Sequence, residues 1–260
     1  MKVVVKIGGA ALEEKNVLKD CARAITDLAQ AHRVAVVHGG GSALTRALKS
    51  LGKESSFVDG LRVTDAETRD VALMVLSGIV NKNLVAAIGA TGLPAVGMCG
   101  GDGLAFRARK KVSVGCELGY VGEITSADPR WIHSIWENAG IPVIASVALG
   151  LDGEYYNINA DQMAAACAVA CGADALIFLT DVPGVKDAGG SVMQWLRLNQ
   201  IPGMVRDAVI AGGMLPKLEA CEHALHHGVG RVRIVPAQQA HELPQVGFAK
   251  MEHGTEVLFA

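Results

Sequence analysis

The chain opens on a short β-branched run, residues 2–7, in which apolar side chains follow one another instead of alternating, and the run stops at Gly8-Gly9. A continuous apolar strand of this kind is buried on both faces, as in a parallel sheet. Residues 16–31 then carry apolar side chains at helical spacing. Residues 33–38 repeat the buried-strand pattern up to Gly39-Gly40-Gly41, and residues 42–51 return to the helical period. Strand, helix, strand, helix predicts parallel strands joined by crossover helices. Residues 65–88 predict one long helix, with Thr64 or Asp65 as its N-cap and Gly89 as its stop. Strands are expected at 94–98, 142–147, 175–179, 231–235 and 256–259, and helices at 128–139, 159–171 and 214–227. Between Gly100 and Ile124 the pattern changes. Val112, Val114, Leu118, Tyr120, Val121 and Ile124 stand among glycine and charged residues, which predicts β-hairpins at a sheet edge. Asp152-Gly153 marks another hairpin turn within 151–157. Residues 187–200 carry no distinctive pattern, and a boundary between two lobes is expected near 150–180, although no linker marks it.

Composition narrows the class. Half of the 260 residues are hydrophobic, enough for a large core, and 31 glycines promise many turns. The formal charge is −2 and Lys110-Lys111 is only a short basic pair, so no nucleic-acid partner is expected. No run of about 18 apolar residues is read as a membrane span. The first residues, MKVVVKIGGA, lack the apolar core of a secretory signal. A cytoplasmic protein without a membrane partner is the expectation. The six cysteines form no CxxC pair, which predicts buried free thiols and no metal site.

The familiar nucleotide and hydrolase signatures are missing: GxxxxGK[ST], GxGxxG opening the first helix, HRD with DFG, HExxH and GxSxG. Three glycine turns remain, at 8–9, 39–41 and 100–103. A glycine turn between strand and helix serves either a tight turn or an anion held by backbone N–H groups, and two in succession favour an anion site at the strand ends. Lys6 interrupts an apolar strand just before the first turn, either as a strand-end lysine reaching solvent or as a cation aimed into a cleft. Lys217, near the start of a helix, opposes the helix dipole, so it is either a plain exposed lysine or a partner for a bound anion. Asp161, in the first turn of its helix, is either an N-terminal dipole partner or an organiser of two lysines. Arg62 is either a surface residue or a carboxylate clamp.

Taken together, VVVKIGGA at 3–10, VVHGGGSAL at 36–44, GLRVTDAET at 60–68, VNKNLV at 80–85, NINADQMAA at 157–165, LTDVPGV at 179–185 and AGGMLPKLEAC at 211–221 resemble the amino acid kinase family. GLRVT with NxNADQ points to its acetylglutamate branch. The resemblance implies an α/β/α sandwich around a mainly parallel sheet, one domain over 1–260. A lobe of about residues 1–175 would hold the acyl amino acid and one of about 176–260 would hold ATP. The reaction implied is transfer of the γ-phosphoryl group of ATP, with Mg2+, to the side-chain carboxylate of N-acetyl-L-glutamate, in arginine biosynthesis. By resemblance, Lys6 and Lys217 would stabilise the transferring phosphoryl group and Asp161 would orient them. Gly8, Gly9, Gly40 and Gly41 would offer N–H groups to phosphates and substrate. Arg62 and Asn157 would hold the acyl amino acid, and Asp181 would lie near the nucleotide. Glycine stands at 100–103 where relatives often carry a lysine. The chain begins at its first strand, without the extra N-terminal helix of arginine-inhibited hexamers, so a homodimer is expected. A sister kinase acting on carrier-protein-linked aminoadipate or glutamate shares the lysines and turns, but GLRVT argues against it. The intact Lys6, Asp161 and Lys217 argue against a non-catalytic binding protein.

Overall fold

The computed structural model describes residues 1–113, 115–245 and 252–259. β1 (Lys2–Ile7) leads to α1 (Lys15–Ala29), and β2 (Arg33–His38) to α2 (Gly41–Ser50). A small hairpin, β3 (Phe57–Val58) and β4 (Leu61–Arg62), precedes a helical rod made of α3 (Ala66–Ala72), a π-helical stretch at Leu73–Val80, and α4 (Asn81–Gly89). Then come β5 (Ala95–Cys99), β6 (Phe106–Lys110), β7 (Val121–Ala127), α5 (Arg130–Glu137), β8 (Ile141–Ala145), β9 (Val147–Gly150), β10 (Tyr155–Ile158), α6 (Ala160–Cys171) and β11 (Ala175–Thr180). The last elements are β12 (Trp195–Arg197), α7 (Ile201–Arg206), α8 (Met214–His226), β13 (Arg231–Pro236) and β14 (Thr255–Leu258).

Among the described residues, eight strands form the central sheet in the order β12-β14-β13-β11-β1-β2-β8-β5. Every neighbouring pair is parallel except β13 with β14. The period of two along β1 divides its side chains between two cores. Val3, Val5 and Ile7 pack with Ile25 and Leu28 of α1 and Leu84 and Ile88 of α4. Val4, on the opposite face, packs with Met163 of α6 and Leu218 and Cys221 of α8. The result is the expected α/β/α sandwich. The same alternation puts Lys6 on the α6 and α8 face. Five cysteines are buried free thiols and Cys116 is half-buried.

Several expectations need correction. Segments 100–124 do not edge the central sheet. β6 and β7 close a separate four-stranded barrel with β9 and β10, and Val114 lies outside the described residues. The single strand expected at 142–147 is two, β8 in the sheet and β9 in the barrel. β12 and α7 were not foreseen. The rod 66–89 is long and apolar enough to cross a bilayer by length and composition, contrary to the expectation that no such stretch exists. Its side chains instead fill two cores of this fold, Leu84 and Ile88 on α1, and Val71, Leu76 and Val80 on Leu44 and Leu48 of α2. Asp65 does cap the rod, accepting the N–H of Thr68.

Candidate active site

Because β1, β2 and β11 are parallel neighbours, their C-terminal ends gather the turns at Gly8-Gly9, Gly39-Gly40-Gly41 and Thr180-Asp181. The chain builds outward from β1 in opposite directions, so the winding reverses between β1 and β11, the crevice where open α/β sheets take ligands. The turns abut closely: a Cβ on Gly9 would lie 3.3 Å from the nitrogen of Gly41.

Three buried charges meet there. Asn159 caps α6 by accepting the N–H groups of Asp161 and Gln162, which leaves the Asp161 carboxylate free for other partners. Its Oδ1 lies 2.8 Å from Lys6 Nζ, and Lys217 Nζ lies 3.0 Å from both oxygens. Lys217 also sits 5.1 Å over the ring of Phe178, a cation–π contact. Burial by itself would raise the Asp161 pKa. The two ammonium groups outweigh it and hold the carboxyl below its ordinary value. For Lys217 burial, together with the repulsion of Lys6, prevails over the attraction of Asp161 and pulls the ammonium below its ordinary value. Two cations and one anion leave one positive charge at the strand ends without a counter-ion among the described residues. The N–H groups of Gly9, Gly40 and Gly41 have no backbone acceptor among the described residues. Gly8 must be corrected: its N–H donates to the Leu179 carbonyl at 2.9 Å, continuing the β1–β11 ladder, and is not free for a phosphate.

Beside the charged trio lies a cavity of about 160 Å³, walled by Gly39 to Gly41, Arg62, Ser146, Asn157 and Ala160. Arg62 is buried, yet no carboxylate among the described residues pairs with it. Its guanidinium donates to the Gly41 carbonyl (3.0 Å), to Thr45 Oγ1 (2.7 Å) and to Ser55 Oγ, and lies 4.6 Å from the centre of the Phe57 ring. Burial lowers its pKa, but from so high a value that the charge persists. Asn157 donates to Thr64 Oγ1 at 3.3 Å, and Thr64 donates back to the Arg62 carbonyl at 2.8 Å. A Cβ at Gly39 would lie 3.3 Å from that of Ala160, the residue before Asp161, so cavity and trio share a wall.

On the other side, a cavity of about 240 Å³ is lined by Val182, Val185, Lys186, Val209, Ile210 and Met214. Asp181, exposed at the end of β11, accepts a hydrogen bond from Thr180 at 3.1 Å. The structure therefore gathers Lys6, Asp161, Lys217 and the glycine turns at one point and puts Arg62 and Asn157 in the adjoining cavity. Thr45, Ser55 and Thr64, which hold Arg62 and Asn157, were missed. Only Thr64 carried a signal, as part of GLRVT. The third glycine turn packs elsewhere than the charged trio: Gly100 lies against Phe106, Gly101 against Tyr155 and Gly103 against Trp131.

Free N–H groups, an uncompensated ammonium and a buried guanidinium around strand ends make a site for anions on two sides of one point. The chain belongs to the amino acid kinase family, whose model matches residues 1–236. Over 259 residues it is 62% identical to an acetylglutamate kinase of Acidobacterium capsulatum and 56% identical to one of Koribacter versatilis, with 99% of each chain covered in both comparisons. A solved N-acetylglutamate synthase of Neisseria gonorrhoeae, complexed with coenzyme A and N-acetyl-glutamate, matches at a TM-score of 0.86 and 26% identity, over 98% of this chain and 59% of that one.

Proposed function

We propose that this chain transfers the γ-phosphoryl group of ATP to the side-chain carboxylate of N-acetyl-L-glutamate, giving N-acetyl-L-glutamyl 5-phosphate and ADP, a step of arginine biosynthesis. One observation carries the reading: a buried trio with one excess positive charge stands between a groove lined by Lys186 and apolar side chains and a cavity whose arginine has no carboxylate partner among the described residues. The acetylglutamate kinases that match nearly end to end support it.

The substrate carboxylate is ionised near neutral pH and needs no base. Its oxygen bonds to the γ-phosphorus as the bond to the β–γ bridging oxygen breaks, and the electron pair leaves on ADP. The barrier lies in gathering negative charge, so the groups that matter are donors and cations. Lys6 and Lys217 stabilise the transferring phosphoryl and the leaving β-phosphate, and Asp161 holds both ammonium groups in place. Gly9, Gly40 and Gly41 donate N–H groups. Arg62 binds the carboxylate of the substrate that does not react, and Asn157 the acylated amino acid. The groove beside Asp181 takes the nucleotide, with residues of about 1–175 serving the acyl amino acid and about 176–260 serving ATP. Both Asp161 oxygens are occupied by lysines, so Mg2+ would be held by phosphates and water, its charge drawing electrons from them.

We place the enzyme in the cytoplasm as a homodimer. Met74 and Ile79, each 60% exposed, lie about one turn apart on the π stretch and offer an apolar face to a second copy. Ile79→Asp should shift the mass seen by light scattering from dimer to monomer. The activity is tested by an ATP-dependent hydroxamate assay with N-acetylglutamate, glutamate, aspartate and carbamate in parallel. Acyl phosphate should form with N-acetylglutamate. Its formation only from free glutamate or aspartate would refute the substrate.

A further inference from the structure

We propose that His38, backed by Asn81, is a positioning residue that aims the N–H of Gly40 into the site. His38 is the last residue of β2 and is fully buried. Its Nδ1 lies 2.8 Å from the Gly39 carbonyl oxygen and its Nε2 3.0 Å from Asn81 Nδ2. Asn81 Nδ2 also donates to the Val143 carbonyl at 3.0 Å, while Asn81 Oδ1 accepts from Lys82 Nζ at 3.1 Å. Only one proton arrangement satisfies every member. A carbonyl can only accept, so Nδ1 carries the ring proton, and Nε2 then accepts from the amide of Asn81. Burial pulls the ring pKa down to about 4, so it stays in this neutral form at ordinary pH.

The consequence follows from peptide geometry. In a planar trans peptide the C=O of one residue and the N–H of the next point in opposite directions, and the described chain contains no cis bond. With the Gly39 carbonyl tied to His38, the Gly40 N–H must face the other way. Gly40 lines the Arg62 cavity, and its N–H has no backbone acceptor among the described residues. A peptide between two glycines meets little resistance to flipping, and a flip would present a carbonyl oxygen to an anion. His38 prevents that without touching substrate. The fold keeps space for the relay: a Cβ on Gly97 would fall 1.9 Å from Asn81 Oδ1 and 2.6 Å from Lys82 Nζ.

The inference rests on the phosphoryl-transfer reading and is tested apart from it. Asparagine can place an amide N–H where Nδ1 stands, whereas glutamine reaches the position of Nε2. His38→Gln should lower kcat with N-acetylglutamate by about 100-fold, the effect of losing one aimed donor, with KM for ATP nearly unchanged. His38→Asn should recover most of that loss at a similar melting temperature. Equal losses in both variants, or full turnover in His38→Gln, would overturn the proposal. Long-range proton–nitrogen NMR of the wild-type ring needs no variant to fold: the Nδ1–H form is expected, and an Nε2–H form would also overturn it. Wild-type protein inactive on N-acetylglutamate would refute the functional reading, while the ring measurement would still decide the tautomer on which the aiming depends.

Discussion

The site holds buried cations of two kinds. Lys6 and Lys217 share a carboxylate, whereas Arg62 is surrounded by neutral oxygens and a ring. The difference follows from chemistry. A buried ammonium readily gives up its proton, so a lysine that must stay charged needs an anion beside it; a guanidinium keeps its charge unaided. Asp161 thus maintains the charge on one side of the site. On the other side the anion has been left out, and the substrate can supply it. One half of the site is organised before ligands arrive and the other half is completed by them.

The largest effect is expected at Asp161, where the buried charges meet. Asp161→Asn would leave two ammonium groups facing each other in a buried site, and the unfolding free energy by urea titration should fall on the order of 3 kcal/mol. Lys217→Ala should lower kcat by about 2–4 kcal/mol of transition-state stabilisation, and steady-state kinetics with near-normal turnover would remove Lys217 from the phosphoryl site. Its lowered pKa adds a pH signature. Turnover should fall as pH rises through a value below that of an ordinary lysine. In the same window the unfolded chain binds more protons, so this group makes stability rise with pH, opposite to the activity. Asp161 acts at the other end: its lowered pKa gives stability that is full above about pH 4 and lost as pH falls through the folded value. Arg62→Lys should raise KM for N-acetylglutamate about tenfold with kcat little changed, because the charge remains and the planar fork is lost. The smallest effect is expected from Thr45→Val, which removes one neutral acceptor from Arg62. It should cost about 1 kcal/mol in binding measured by calorimetry; an effect as large as that of Arg62→Lys would mean the neutral shell does more than orient the arginine.

What the sequence revealed follows from distance along the chain. β2 and β11 were plain because a strand buried on both faces shows a continuous apolar run, and β1 and β13 show the same run broken by one cation each, Lys6 and Arg233. The rod read as one long helix, with Thr64 or Asp65 as its cap, and the structure settles the cap on Asp65. The barrel was hidden because β6 and β7 are completed by β9 and β10, some way downstream, and no local pattern encodes that pairing. β12 and α7 are too short to show a period. In the site, Lys6 and Lys217 stood out as charges in unfavourable places, but their meeting on Asp161 joins residues 155 and 56 positions apart. The Gly8 N–H looked free because its acceptor, Leu179, comes from a strand 171 positions away. Without the resemblance Arg62 stood open between a surface residue and a carboxylate clamp, because the partners that bury it, Thr45 and Ser55, form no pattern with it.

The π-helical stretch at Leu73–Val80 makes the rod sensitive to the number of its residues. Leu76 and Val80 of that stretch press on Gly40 so closely that a Cβ there would sit 2.7 and 3.1 Å from them. Downstream, Leu84 and Ile88 are fully buried against α1. Removing one residue from the stretch would turn everything after it by about 100° about the axis, swinging Leu84 and Ile88 out of their core and withdrawing the wall behind Gly40. Exposed positions of the rod other than Met74 and Ile79 can therefore vary in chemistry, while the length of the rod is held by the side chains on either side of the stretch, and insertions or deletions belong in the loops.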